Sequence, residues 1–113
     1  MPKIFIPLLL SIVFLFSCKK EDSSLTIVNE LDNIILQNVE WDNRFVAIEL
    51  LPKQSAELKI SPRVTDLPKA DFIRFEMKSA NRRIGLRTAV RFEVKEEQDV
   101  RVVIDSALQV TVQ

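Results

Sequence analysis

The residues best suited to chemistry in this sequence are one cysteine and a set of carboxylates, and histidine is absent. Without histidine the chain has no Ser–His or Cys–His pair, and the usual general base near neutral pH is missing. Cys18 is the only thiol, so it cannot form an internal disulfide, and no cysteine–histidine cluster offers a metal site. Catalysis would therefore depend on paired carboxylates, as in glycosidases.

The carboxylates follow the pattern of solvated strand faces. Glu57, Glu76 and Glu93 alternate with apolar residues and stand beside Lys or Arg, which is typical of cross-strand ion pairs. Four other acids fall in loops or turns: Asp32, Asp42, Asp66 and Asp71. These four lack the dense spacing of a calcium loop and suit turn formation. We expect no catalytic residue, no metal and no cofactor.

A local excess of positive charge offers a candidate binding site. Six basic residues face a single acid, Glu76, within residues 74–91: Arg74, Lys78, Arg82, Arg83, Arg87 and Arg91. If two strands pair around Asn81, several of these side chains share one face near the hairpin tip. Arginine suits the carboxylate or sulfate groups of an acidic glycan or protein, so Arg82, Arg83 and Arg87 are candidate partner-binding residues. The alternative is a charged edge that discourages aggregation.

Trp41 is the only tryptophan and stands beside Asp42 and Asn43 at the end of a predicted hairpin. If exposed, it is a further candidate partner-binding residue, because it would form a stacking platform or an interface anchor. If buried, it is a large part of the core. Its alternation with Val39 favours the core.

Cys18 closes an N-terminal segment with a targeting pattern. Lys3 precedes an apolar run over residues 4–16, which is too short to span a membrane and fits a signal peptide over residues 1–17. The run ends in a tetrad that resembles the lipobox of bacterial lipoproteins: Leu15, Phe16, Ser17 and Cys18. The resemblance implies cleavage before Cys18 and a lipid anchor on its sulfur. The alternative is an ordinary thiol in a plain signal peptide or a short anchor.

Polar residues follow the cysteine and predict a flexible tether over residues 18–24. Its first residues resemble the surface-export signal of lipoproteins from Bacteroidota-type bacteria: Lys19, Lys20, Glu21 and Asp22. This resemblance implies an outer-membrane lipoprotein displayed on the cell surface. The alternative is a solvated linker on a lipoprotein that faces the periplasm.

Charge, length and glycine content limit what the rest of the chain can be. The mature part, from residue 18, holds fifteen Lys and Arg against sixteen Asp and Glu, a balance that gives no global reason to expect nucleic acid or an anionic membrane as a partner. Its length fits one domain over residues 25–113. Because the chain has one glycine, Gly85, its turns must use Pro, Asn, Asp and Ser.

Period-two alternation dominates that domain and predicts seven or eight strands in a small antiparallel, immunoglobulin-like β-sandwich. Asp42 and Asn43 predict a tight hairpin, residues 61–70 predict the longest loop, and residues 83–94 read as one strand. Residues 25–41, 50–60 and 85–94 resemble small β-sandwich lipoproteins of unknown function from Gram-negative bacteria. In those proteins the first strand ends in Asn, and a glycine usually follows the turn proline where this chain has Lys53. The resemblance implies the fold and no catalytic residue.

The sequence therefore predicts a lipid-anchored, surface-exposed envelope lipoprotein that acts as a non-catalytic binding or structural module for a protein or glycan. One alternative is a periplasm-facing accessory subunit or inhibitor of an envelope complex. Another is a carboxylate-dependent glycan hydrolase.

Overall fold

Alternating apolar and polar residues form strands throughout the part of the chain that the computed structural model describes, residues 22–112. The ten strands are β1 (Ser23–Asn29), β2 (Ile35–Trp41), β3 (Arg44–Leu50), β4 (Ser55–Ile60), β5 (Lys69–Asp71), β6 (Arg74–Ser79), β7 (Arg82–Thr88), β8 (Phe92–Val94), β9 (Asp99–Ile104) and β10 (Val110–Val112). No helix occurs within these residues. The predicted all-β class is confirmed.

Two of the ten strands were not predicted. β5 lies at the end of the predicted loop over residues 61–70, and β8 is separate from β7 although the sequence reads as one strand there. Thr88 causes the break: its buried hydroxyl donates to Val90 O at 2.7 Å and accepts from Ile73 N at 3.1 Å. The chain can then leave β7 and pair with β5.

The strands form a small β-sandwich. A five-stranded sheet has the order β10-β7-β6-β2-β3, a three-stranded sheet has the order β4-β1-β9, and β5 and β8 pair with each other. The predicted antiparallel sandwich is confirmed, and one pair departs from the antiparallel pattern: β1 and β9 run parallel, with Leu25 opposite Val100. Alternation shows which face a residue occupies but carries no information on strand direction. Parallel neighbours need a long connection, and residues 30–98 supply it.

The core lies between the inner faces of the two large sheets. Leu25 and Ile27 of β1, Leu36 of β2 and Ile73 are completely buried. Trp41 is also completely buried, and its indole Nε1 donates to Phe92 O at 3.1 Å. The interpretation of Trp41 as core is confirmed, so this side chain is not an exposed platform for a partner.

The described domain begins before Leu25, the predicted first residue. Ser23 and Ser24 are buried in β1, where the Ser23 hydroxyl donates to Lys95 O and the Ser24 hydroxyl donates to Asp99 Oδ1, both at 2.7 Å. The last two residues of the predicted tether therefore belong to the sandwich. The predicted lipobox and its cysteine (Leu15, Phe16, Ser17, Cys18) and the tether residues Lys19, Lys20 and Glu21 lie outside the described residues.

Turns use left-handed backbone at residues other than glycine. Asp42 and Asn43 have φ of 53° and 57°, the combination that a type I′ hairpin requires, and Trp41 pairs with Arg44 across it. The predicted tight hairpin is confirmed. Lys53 has φ of 69°, so the position where the resemblance expects glycine is one that favours glycine.

Asn29 joins four parts of the chain at the end of β1 and is completely buried. Its side-chain Nδ2 donates to Ile34 O at 2.9 Å and to Leu50 O at 3.0 Å, and its Oδ1 accepts from Leu31 N at 3.0 Å. Its backbone N donates to Gln54 O at 2.8 Å. One residue, through its side-chain amide and its backbone N–H, thus connects β1 to the start of β2, the end of β3 and the turn before β4.

Replacing Asn29 should destabilise the sandwich strongly. In Asn29→Ala two buried carbonyls and one N–H lose their partner, and the free energy of unfolding should fall by about 3 kcal/mol. Urea unfolding followed by Trp41 emission measures this. Asn81→Ala in an exposed turn is the control, with an expected change below about 0.5 kcal/mol. Equal values for the two variants would contradict the role of Asn29.

Candidate functional site

The β6–β7 hairpin places Arg82 and Arg83 at its tip. Ser79 pairs with Arg82 and Lys78 with Arg83, so the chain turns at Ala80 and Asn81 as predicted. Both arginines are exposed. The tip is therefore an accessible cationic surface on a structured hairpin.

The hairpin tip lies at one end of the sandwich, which we call the Asn29 end. Lys78 pairs with Ile35 of β2, and the preceding Ile34 O accepts the hydrogen bond from Asn29 Nδ2. The other end of β1, the Ser23 end, is six residue steps away, or about 20 Å along the strand. The two ends can therefore contact different partners.

Strand alternation divides the basic residues of the hairpin between two faces. Arg82 follows the parity of Leu86, which is buried in the core, whereas Arg83 and Arg87 lie on the outer face. Near the tip only Lys78 and Arg83 share the outer face, and Arg74 and Arg87 lie on that face at the other end of the hairpin. Arg82 belongs to the opposite face.

A groove runs beside the hairpin tip where the inner face extends past the core. It has a volume of about 380 Å³ and is lined by Ile34, Met77, Ser79, Arg82, Arg83 and Ile84. Ile84 is 43% exposed, so the lining includes apolar surface accessible to a partner. We call Arg82, Arg83 and this groove the hairpin site. It can accept an apolar group while the guanidinium groups bind a neighbouring anion.

The charges at the Asn29 end are unequally neutralised. Lys53 Nζ lies 3.3 Å from Asp32 Oδ1 and 3.4 Å from Glu30 Oε2. These hydrogen bonds, first to Asp32 and then to Glu30, raise the pKa of Lys53. No carboxylate within residues 22–112 forms an ion pair with Arg82 or Arg83. Their positive charge is thus available to an external anion.

A second cationic cluster surrounds Phe72. The guanidinium carbons of Arg87, Arg91 and Arg74 lie 4.2, 5.1 and 6.0 Å from the centroid of the Phe72 ring. We call these four residues the Phe72 cluster. Arg87 belongs here and is five residue steps, about 17 Å along β7, from Arg82. Arg87 therefore lies apart from Arg82 and Arg83, at the opposite end of β7.

Three of the four predicted loop acids form ion pairs: Asp32 with Lys53, and Asp42 and Asp71 as follows. Asp42 lies 3.4 Å from Lys69 Nζ and 3.6 Å from Arg44 Nη2, and Asp71 lies 3.3 Å from Arg74 Nη1. Within residues 22–112 no group of three or more His, Cys, Asp or Glu side chains is arranged to hold a metal ion.

The strand glutamates keep the surface positions that alternation predicts. Glu57 and Glu93 are exposed, and Glu76 is half-buried and accepts a hydrogen bond from Asn38 Nδ2. The sequence did not reveal the Phe72 cluster or the groove. The hint in the sequence was Phe72, an aromatic residue between Asp71 and Ile73. Finding the cluster also requires the register of β6 and β7, which places Arg87 opposite Arg74.

Comparisons with family models, curated proteins and solved structures find no match to this chain. Within residues 22–112 no helix has the length and apolar character needed to cross a membrane. The class of the described domain, a small β-sandwich, thus follows from its own strand order and core.

Proposed function

We propose that this chain is a lipid-anchored, surface-exposed envelope lipoprotein whose sandwich is a non-catalytic binding module. The anchor is the sulfur of Cys18. The hairpin site binds the carboxylate or sulfate groups of an acidic glycan or protein. Neither catalysis nor a cofactor is part of this function.

The observation that carries the proposal is the position of the hairpin site relative to the start of the domain. The chain arrives from Cys18 at Ser23, whereas Arg82 and Arg83 lie at the Asn29 end. With about 20 Å of β1 between the two ends, an anchored domain presents the hairpin site away from the bilayer. This arrangement suits a module that captures an external partner.

The chemistry of the hairpin site supports an anionic ligand with an apolar portion. The guanidinium of arginine binds carboxylate and sulfate oxygens through paired hydrogen bonds. Ile34, Met77 and Ile84 supply adjacent apolar surface in the groove. Because the arginines are exposed and have no ion-pair partner within the described residues, binding an anion breaks no existing ion pair.

The anchor is tested by Cys18→Ala. Because the proposed thioether needs the sulfur, we expect an unlipidated precursor that retains residues 1–17. Intact-mass measurement of the membrane fraction distinguishes the two forms, and Ser24→Ala is the control that should be lipidated normally. Normal cleavage and lipidation of Cys18→Ala would refute the anchor.

The hairpin site is tested by Arg82→Glu/Arg83→Glu with dextran sulfate and a polyuronate as anionic probes. Loss of a charge-assisted hydrogen bond should weaken binding about tenfold for each arginine, and the reversed charge adds repulsion. The control is Arg63→Glu/Arg101→Glu, which makes the same change in net charge at two other exposed positions. If both double variants bind equally, net charge rather than the hairpin site governs binding, and the proposal fails.

A further inference from the structure

We propose that the Phe72 cluster binds the phosphate groups of anionic phospholipids and holds the Ser23 end of the domain against the membrane. This is a second binding surface, distinct from the hairpin site. It rests on the proposed anchor at Cys18, which brings this end to the bilayer.

The Phe72 cluster concentrates positive charge that the described residues do not neutralise. Asp71 pairs with Arg74 at 3.3 Å, but no carboxylate within residues 22–112 forms an ion pair with Arg87 or Arg91. Arg74 and Arg87 are directly opposite in the β6–β7 ladder, an arrangement in which like charges repel. Stacking on Phe72 holds the guanidinium groups together despite this repulsion. An anion between them would relieve it.

The cluster lies near the point where the chain arrives from Cys18. The Ser23 hydroxyl donates to Lys95 O at 2.7 Å, and Arg91 is only four residues before Lys95. Four residues of extended chain span at most about 14 Å. Arg91 and its neighbours are therefore close to the Ser23 end.

The length of the preceding segment brings this end to the membrane. Five residue steps separate Cys18 from Ser23, which reach at most about 18 Å when fully extended. An acylated Cys18 at the bilayer surface thus keeps Ser23 within that distance of the headgroups. Arg91 is exposed and lies within about 14 Å of the same end, so the cluster is close enough to contact the phosphate layer.

A phospholipid surface explains the cluster better than a soluble glycan does. The chain is balanced in charge overall, so the attraction must be local, and the Ser23 end is the end that the anchor confines to the membrane. Val90, next to Arg91 in the chain, is 58% exposed and can contact the apolar part of the headgroup region. A small soluble anion would not use that contact.

The test uses the mature chain from residue 18 with Cys18→Ser, which contains the whole described sandwich and its core but cannot be acylated. Co-sedimentation with phosphatidylglycerol–phosphatidylcholine vesicles should show binding that salt weakens, and phosphatidylcholine vesicles should not bind. Arg87→Gln/Arg91→Gln should lower the partition coefficient about thirtyfold. Arg82→Gln/Arg83→Gln is the matched control and should change it less than about twofold, because the hairpin site faces away from the membrane. Emission of the buried Trp41 verifies that each variant is folded.

Two results would overturn the proposal: no binding to phosphatidylglycerol vesicles, or an equal loss in both double variants. If vesicles do not bind but dextran sulfate binds through Arg87 and Arg91, the cluster is a glycan site instead. Retained binding by Arg87→Lys/Arg91→Lys would support an electrostatic contact. The chain used in this test carries no lipid, so the result of the vesicle experiment does not depend on that of the Cys18→Ala experiment. A failure of the anchor would be seen in the Cys18→Ala experiment alone.

Discussion

The completely buried amide of Asn29 is the constraint on which the arrangement of the sandwich depends. Its side chain binds Ile34 O, Leu50 O and Leu31 N, so three strands meet in a fixed relation where β1 ends. A buried amide without these partners would cost more than the bonds contribute, so the geometry is tightly specified. Fixing Ile34 also fixes the position of β2, and with it β6 and the hairpin that carries Arg82 and Arg83.

The sandwich therefore has two ends with different chemistry. The Asn29 end carries the hairpin site, in which two arginines flank an apolar groove, while Lys53 nearby is neutralised by Glu30 and Asp32. The Ser23 end carries the Phe72 cluster beside the point where the chain arrives from Cys18. In the proposed account the Ser23 end contacts the membrane to which Cys18 anchors it, and the Asn29 end contacts the partner. The overall balance of positive and negative charge does not reveal this division, because the division depends on where the arginines lie along β7.

Sequence reasoning predicted what depends on local pattern. Alternation identified the strand residues, Asp42 and Asn43 identified a hairpin, and the parity of Val39 and Trp41 assigned the tryptophan to the core. It failed where the structure depends on contacts between residues that are far apart in the sequence. The parallel pairing of β1 with β9 joins segments about seventy residues apart, and the hydroxyl contacts of Thr88 divide a continuous apolar pattern into β7 and β8. Sequence reasoning missed the division of the arginines into two sites for the same reason, because that division depends on strand register.

The central claim, a domain anchored at its Ser23 end with its hairpin outward on the cell surface, is best tested by cysteine labelling on intact cells. The native chain has one cysteine, Cys18, and a thioether there cannot react with a membrane-impermeant maleimide. The account predicts no labelling of the native chain, fast labelling of Asn81→Cys at the hairpin tip, and several-fold slower labelling of Val90→Cys near the bilayer. Equal rates for the two variants, or labelling only after the outer membrane is permeabilised, would contradict it.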